Sequence, residues 1–311
     1  MCRPGTNAYK SSRTWIRSKK NTDMLRGKWS DSKWYSRLGL WLGLMLALTI
    51  PMMILWFILT HGSDSVAAAK RLQLWQTLTI FILPSLLGAY LWAKKPLTWL
   101  HLDRGMSWRT ALVAVGTMLI AVPGINLLNN LNQQLVLPSA LHGLEEWMRQ
   151  MEDAAAVLTE RFLRVDSVEG LLINLGLIAL LPAVGEELTF RGVLQGQFSP
   201  KYKHAAIWIS AAIFSFIHMQ FYGFVPRMLM GVLFGYMLVW TGSLWVPMLM
   251  HMTNNAVAVI SYYLSNRYDL GNEWMEEFGA GSTWYVGVLS LLAVCAICYF
   301  FARGRSSAPR P

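Results

Sequence analysis

The chain has 311 residues, of which 54% are hydrophobic and only 14% charged, well below the roughly 25% charged residues of ordinary soluble domains. Its net charge of +10 is concentrated rather than spread, with ten of the 27 Lys/Arg inside residues 1–37. Long stretches almost free of charge exclude a soluble globular fold, and a basic run beside the first apolar stretch is the ordinary device for fixing membrane topology, so no nucleic-acid partner is expected.

The tail 1–37 is polar and lacks the apolar core of a cleaved signal peptide. It reads as a disordered cytoplasmic arm beside an anionic membrane surface. Eight apolar stretches follow, at about 38–60, 72–93, 110–128, 170–192, 205–221, 226–240, 244–264 and 284–302. They predict an all-α polytopic bundle of about eight transmembrane helices, one domain over 38–302 with a core formed by spans four to seven, and a second short cytoplasmic tail at 303–311. Gly231-x-x-x-Gly235 is expected to admit a neighbouring helix in the sixth span, and Gly39-x-x-x-Gly43 to do the same in the first. Segment 139–166 interleaves Glu145, Arg149, Glu152 and Glu160 with Leu144, Trp147, Met151 and Leu158. That spacing predicts an amphipathic helix lying on the outer surface or capping the bundle. With the N-terminus in the cytoplasm, nineteen Lys/Arg fall inside and seven outside. The positive-inside rule then places both termini in the cytoplasm of a plasma or inner membrane. Cys295 and Cys298 sit in an apolar stretch without a second pair to complete a metal set, and read as inert thiols.

Three of these stretches contain ionisable residues where hydrocarbon penalises them. The fourth runs through Pro182, Gly185, Glu186, Glu187 and Arg191. Glu187 and Arg191, at i and i+4, share a helix face as a predicted ion pair, while Glu186 points about 100° away toward a possible cavity. The fifth carries Phe214 and His218, and the seventh His251 and Asn255 one turn apart. Each alone has a structural explanation, as a helix end or a hydrogen-bonded packing residue. Three polar groups on three apolar helices point instead to one shared site. A desolvated carboxylate suits a general base, and a histidine beside it suits activation of water. A second histidine and an asparagine suit oxyanion stabilisation. Glu186, His218 and His251 would also serve as zinc ligands, although no H-E-x-x-H is present. Counting helical rise puts His218 deeper than the other two, unless the fifth helix starts later than Ala205 or the helices tilt and break around a cavity.

At these residues the chain resembles the CAAX prenyl protease and bacteriocin-processing (CPBP, or ABI) family of membrane proteins. Its motifs E-E-x-x-x-R, F-x-x-x-H and H-x-x-x-N/D match Glu186-Glu187…Arg191, Phe214…His218 and His251…Asn255, in order, over about 165–265. The resemblance implies that Glu186 and His218 activate water, that His251 and Asn255 stabilise the oxyanion, and that Glu187 and Arg191 support them. It implies an intramembrane endopeptidase acting on a membrane-associated peptide or protein substrate; zinc chemistry and metal-free glutamate chemistry both fit the motifs, and we favour the metal-free form. The competing readings are a transporter or proton relay using the same residues, and a non-catalytic immunity or scaffold protein.

Overall fold

The computed structural model describes residues 25–60, 65–198, 200–271, 275 and 277–306. The expected tails therefore lie largely outside the described residues. The structured part begins earlier than 38: the turn at 25–31 is tied to the bundle, with the Gly27 and Trp29 amides donating to the Tyr90 and Leu91 carbonyls.

Among the described residues there are helices and no strands. The main helices are α1 (Trp34–Thr60), α2 (Val66–Trp92), α3 (Trp108–Gln133), α4 (His142–Leu163), α5 (Val168–Gln197), α6 (Lys203–Phe216), α7 (Phe224–Thr241), α8 (Trp245–Tyr268) and α9 (Trp284–Ser306). Among the described residues six segments are long and apolar enough to cross a membrane: α1, α2, α3, α5, α7 with the turn before it, and α9. The expected eight is thus not reached on length and composition. Helix α6 has only 14 residues, about 21 Å at 1.5 Å per residue, short of a hydrocarbon core of about 30 Å. Helix α8 has 24 residues, but His251, Asn254 and Asn255 lower its hydropathy.

Connections at each end of the bundle are tied together. At one end Leu244 N donates to His101 O, Ser243 Oγ to Arg104 O and Trp245 Nε1 to Leu102 O. At the other, Lys70 Nζ meets Asn174 Oδ1 at 2.7 Å, and Asn266 Nδ2 donates to Leu163 O. Helix α4 lies at this second end, as the amphipathic pattern predicts. Its Arg149 hydrogen-bonds Glu145 and holds that carboxyl below the usual carboxylate range.

The two glycine pairs behave differently. A Cβ on Gly231 would stand 2.9 Å from Arg191 Nη2 and 3.0 Å from Ala211 Cβ, and one on Gly235 would stand 2.8 Å from Ile207 Cγ2. Hydrogen atoms at both positions let α7 press against α5 and α6. Gly39 and Gly43 face open space instead, so the close approach expected in α1 does not occur.

Candidate functional site

Helix α5 is not a uniform α-helix. Two π-helical segments, Leu175–Leu180 and Leu188–Leu194, flank the α-helical turns Leu181–Glu187. Local widening of this kind recurs at functional sites. Pro182 has no N–H to offer Ile178 O four residues back; Asn255 Nδ2 donates to that carbonyl at 3.1 Å. The helix break and the asparagine on α8 are thus two halves of one accommodation.

The same stretch presents both acids. Glu187 and Arg191 form the expected ion pair, Nη1 to Oε1 at 2.8 Å, with both side chains almost wholly buried. Arg191 Nη2 also donates to Gly231 O at 3.0 Å, and its guanidinium lies over the rings of Phe214 and Phe234, 4.7 and 5.4 Å from the centroids. A buried guanidinium is tolerable only with this degree of pairing. Glu187 Oε1 is shared: His251 Nδ1 lies 2.9 Å from it. One carboxylate therefore neutralises Arg191 and fixes the ring of His251.

Glu186 faces the other way, toward both histidines. Its Oε2 lies 3.8 Å from His251 Nε2 and 4.0 Å from His218 Nε2, and this buried oxygen has no hydrogen-bond partner. His218 Nδ1 lies 2.7 Å from Phe214 O. A carbonyl only accepts, so Nδ1 carries the proton and, in the neutral ring, Nε2 presents a lone pair. Two acceptors then face each other across 4.0 Å. Two hydrogen bonds of about 2.8 Å through a single water span up to about 5.6 Å, so one water fits between them and can donate to both.

The sequence brings Glu186, His218 and His251 to one place, but His218 does not sit as expected. Helix α6 begins at Lys203, earlier than Ala205, and ends at Phe216. His218 lies beyond it on a turn that passes through Met219 at φ 55°. The break resolves the depth mismatch, because His218 reaches the site from a turn rather than from a continuous span. Asn255 joins the cluster less directly: its hydrogen bonds run to Ile178 O and Asn254. Sequence reasoning missed Phe234, which stacks on His251 at 5.5 Å, and Gly231 as the acceptor for Arg191. The small-residue spacing at 231 and 235 was their visible trace.

A tetrahedral zinc site with bonds of about 2.0–2.1 Å separates its ligand atoms by roughly 3.4 Å. The two separations at Glu186 are wider, and among the described residues no three His, Cys, Asp or Glu form a group able to hold a metal ion.

Residues 168–257, which contain all six of these polar side chains, match the family model described as Rce1-like, type II CAAX prenyl endopeptidase. The match covers 90 of the 311 residues. The resemblance read from the three motifs therefore holds for this segment, and the matched family is described as one of endopeptidases. A Bacillus subtilis (strain 168) protein named "Uncharacterized protein YpbD" is 36% identical over 84 residues, which cover 26% of this chain and 41% of YpbD. The chain thus spans less than half of that relative. No solved structure matches. The Rce1-like segment takes in α5 to the middle of α8, so the break in α5 and the turn bearing His218 both fall inside it.

Proposed function

We propose that the chain is an intramembrane endopeptidase that hydrolyses a peptide bond with a water activated by Glu186 and His218. The observation that carries this reading is the unpartnered Glu186 Oε2 facing two imidazole nitrogens at 3.8 and 4.0 Å. Water held between Glu186 and His218 gives a proton to the carboxylate as its oxygen attacks the carbonyl carbon of the substrate. The amide oxygen becomes an oxyanion. A protonated His251 donates from Nδ1 to Glu187 and from Nε2 toward that oxyanion. Asn255 has a second N–H beyond the one engaged by Ile178 O, and it supplies a further donor. When the C–N bond breaks, the proton held by Glu186 passes to the leaving amine, and the site returns to its starting state. Glu187 and Arg191 keep the imidazole of His251 in register. The separations at Glu186 suit a bridging water better than zinc, so the reaction is assigned to the glutamate without a metal. The substrate is a peptide or protein held at the bilayer, since the site lies among apolar helices.

The test is cleavage of membrane-anchored peptides by the purified chain in liposomes. Glu186→Ala and His218→Ala are each expected to lower the rate by about 10²–10⁴-fold, the usual contribution of acid–base groups, while a chelator leaves the wild type unchanged. Retained cleavage in both variants would overturn the reading. Chelator-sensitive cleavage would transfer the chemistry to a metal held by Glu186, His218 and His251.

A further inference from the structure

The turn carrying His218 is held from outside the catalytic cluster. Residues 217–223 connect α6 to α7 without a continuous helix, and Met219 occupies the left-handed region. Local hydrogen bonds, His218 N to Ser215 O, Met219 N to Phe216 O and Gly223 N to Gln220 O, shape part of the turn. Asn132 Nδ2 on α3 donates to Phe221 O, and further contacts come from α7 and α4. Arg227, on the first turn of α7, grips Gln220 at two points, Nη2 to the side-chain Oε1 at 2.8 Å and Nη1 to the backbone carbonyl at 3.3 Å. Among the described residues Arg227 has no carboxylate within ion-pair distance, and the neutral Gln220 is what its guanidinium holds. From α4, Glu152 Oε2 accepts the Tyr222 amide at 3.0 Å. Arg149 lies over the Tyr222 ring, 4.3 Å from its centroid, and Trp147 packs on Phe221 with centroids 5.3 Å apart. Three residues of the amphipathic helix, at 147, 149 and 152, thus touch two consecutive residues of the turn. Arg149 and Glu152, at i, i+3, share a face of α4 and both meet Tyr222, while Trp147 reaches Phe221 from another side of the helix.

We propose that Glu152 and Arg227 are positioning residues for His218, and that α4 acts as a clamp setting the distance between His218 Nε2 and Glu186 Oε2. The proposal rests on the endopeptidase reading above, but extends it to residues outside the three motifs and, through α4, outside the Rce1-like segment. Neither residue exchanges protons with substrate. Both act on the C-terminal side of His218, Arg227 at Gln220 and Glu152 at Tyr222, two and four residues beyond it. A water bridging two acceptors tolerates little change in their separation, and misplacement of about 1 Å costs on the order of 10²-fold in rate. The amphipathic helix thereby gains a role beyond covering the end of the bundle, because any force that shifts it is transmitted to the turn.

The experiment uses the full chain in proteoliposomes with the membrane-anchored peptide that the wild type cleaves. Glu152→Ala and Arg227→Gln are expected to lower kcat about 10- to 100-fold with KM nearly unchanged. Glu152→Gln keeps an acceptor for the Tyr222 amide and is expected to restore most of kcat. Arg227→Lys keeps the charge but loses the two-point grip, so it is expected to remain slow. A change confined to KM, or full activity in Arg227→Lys, would overturn the positioning role. The second readout does not depend on activity. With the natural cysteines replaced by serine and Met219→Cys introduced, labelling by a water-soluble maleimide is expected to quicken when Glu152→Ala or Arg227→Gln is added. Unchanged labelling would overturn the clamp even if cleavage fell. A wild type without cleavage but with the expected labelling changes would overturn the endopeptidase reading and leave the clamp standing.

Discussion

Helices α1 and α5 have similar hydropathy and opposite roles. Their most apolar windows average 2.4 and 1.9, yet none of the α1 window is buried, against 22% of the α5 window. Pro51 interrupts α1 without bringing a polar partner to the freed carbonyl among the described residues, whereas Pro182 in α5 is answered by Asn255 from α8. Gly39 and Gly43 on α1 face open space, while the Arg191 side chain from α5 occupies the space a Cβ on Gly231 would need. Hydropathy identifies both as membrane segments. Only the commitments of their polar and small residues separate a helix that faces outward from one that builds a site.

Three substitutions at the site, with one control on α1, sharpen that contrast. The largest effect is expected for Glu187→Ala, which leaves the Arg191 guanidinium buried without its anion and the His251 ring without its acceptor. Loss of one partner of a buried pair costs about 3–5 kcal/mol, measurable as a lowered unfolding midpoint in mixed micelles. A midpoint equal to wild type would mean that Gly231 O and the two phenylalanine rings suffice. Next comes Gly231→Ala, whose methyl group overlaps Arg191 Nη2 and Ala211. Overpacking of this kind costs about 1–3 kcal/mol, while Gly39→Ala in open space is expected to stay within about 0.5 kcal/mol of wild type. Equal effects at the two glycines would erase the distinction between the helices. The smallest effect among the three site substitutions is expected for Asn255→Ala, which removes the donor to Ile178 O. Hydrogen bonds between membrane helices are worth about 0.6–2 kcal/mol, and a stability loss in that range should accompany slower cleavage. Slower cleavage with unchanged stability would assign Asn255 to the oxyanion alone.

Much of this was readable in the sequence, for identifiable reasons. An i, i+4 acid–base pair in an apolar stretch predicts its own contact, and Glu187–Arg191 makes it. Apolar runs mark spans, and the runs around α1, α2, α3, α5 and α9 do so well. What failed is equally specific. Residues 205–221 are apolar throughout most of their length, but the helix stops at Phe216, and the turn that follows meets Asn132, Glu152 and Arg227, contacts that no local apolar pattern records. Helix α8 loses hydropathy to the residues that face the site, so a functional helix reads as a poorer membrane helix. The partner of Ile178 lies 77 residues ahead, and no local rule connects a proline to an asparagine at that distance.

The pairing of Glu187 with Arg191 also bears on how the chain enters the membrane. Gly231, Phe214 and Phe234, which enclose Arg191 in the finished fold, and His251, which shares Glu187, are all translated after α5. A nascent α5 meets the bilayer before any of them exist. Its glutamate and arginine, one turn apart, can cancel each other within the segment itself, so the helix can be inserted with this pair already neutral and wait for α6, α7 and α8 to close around it.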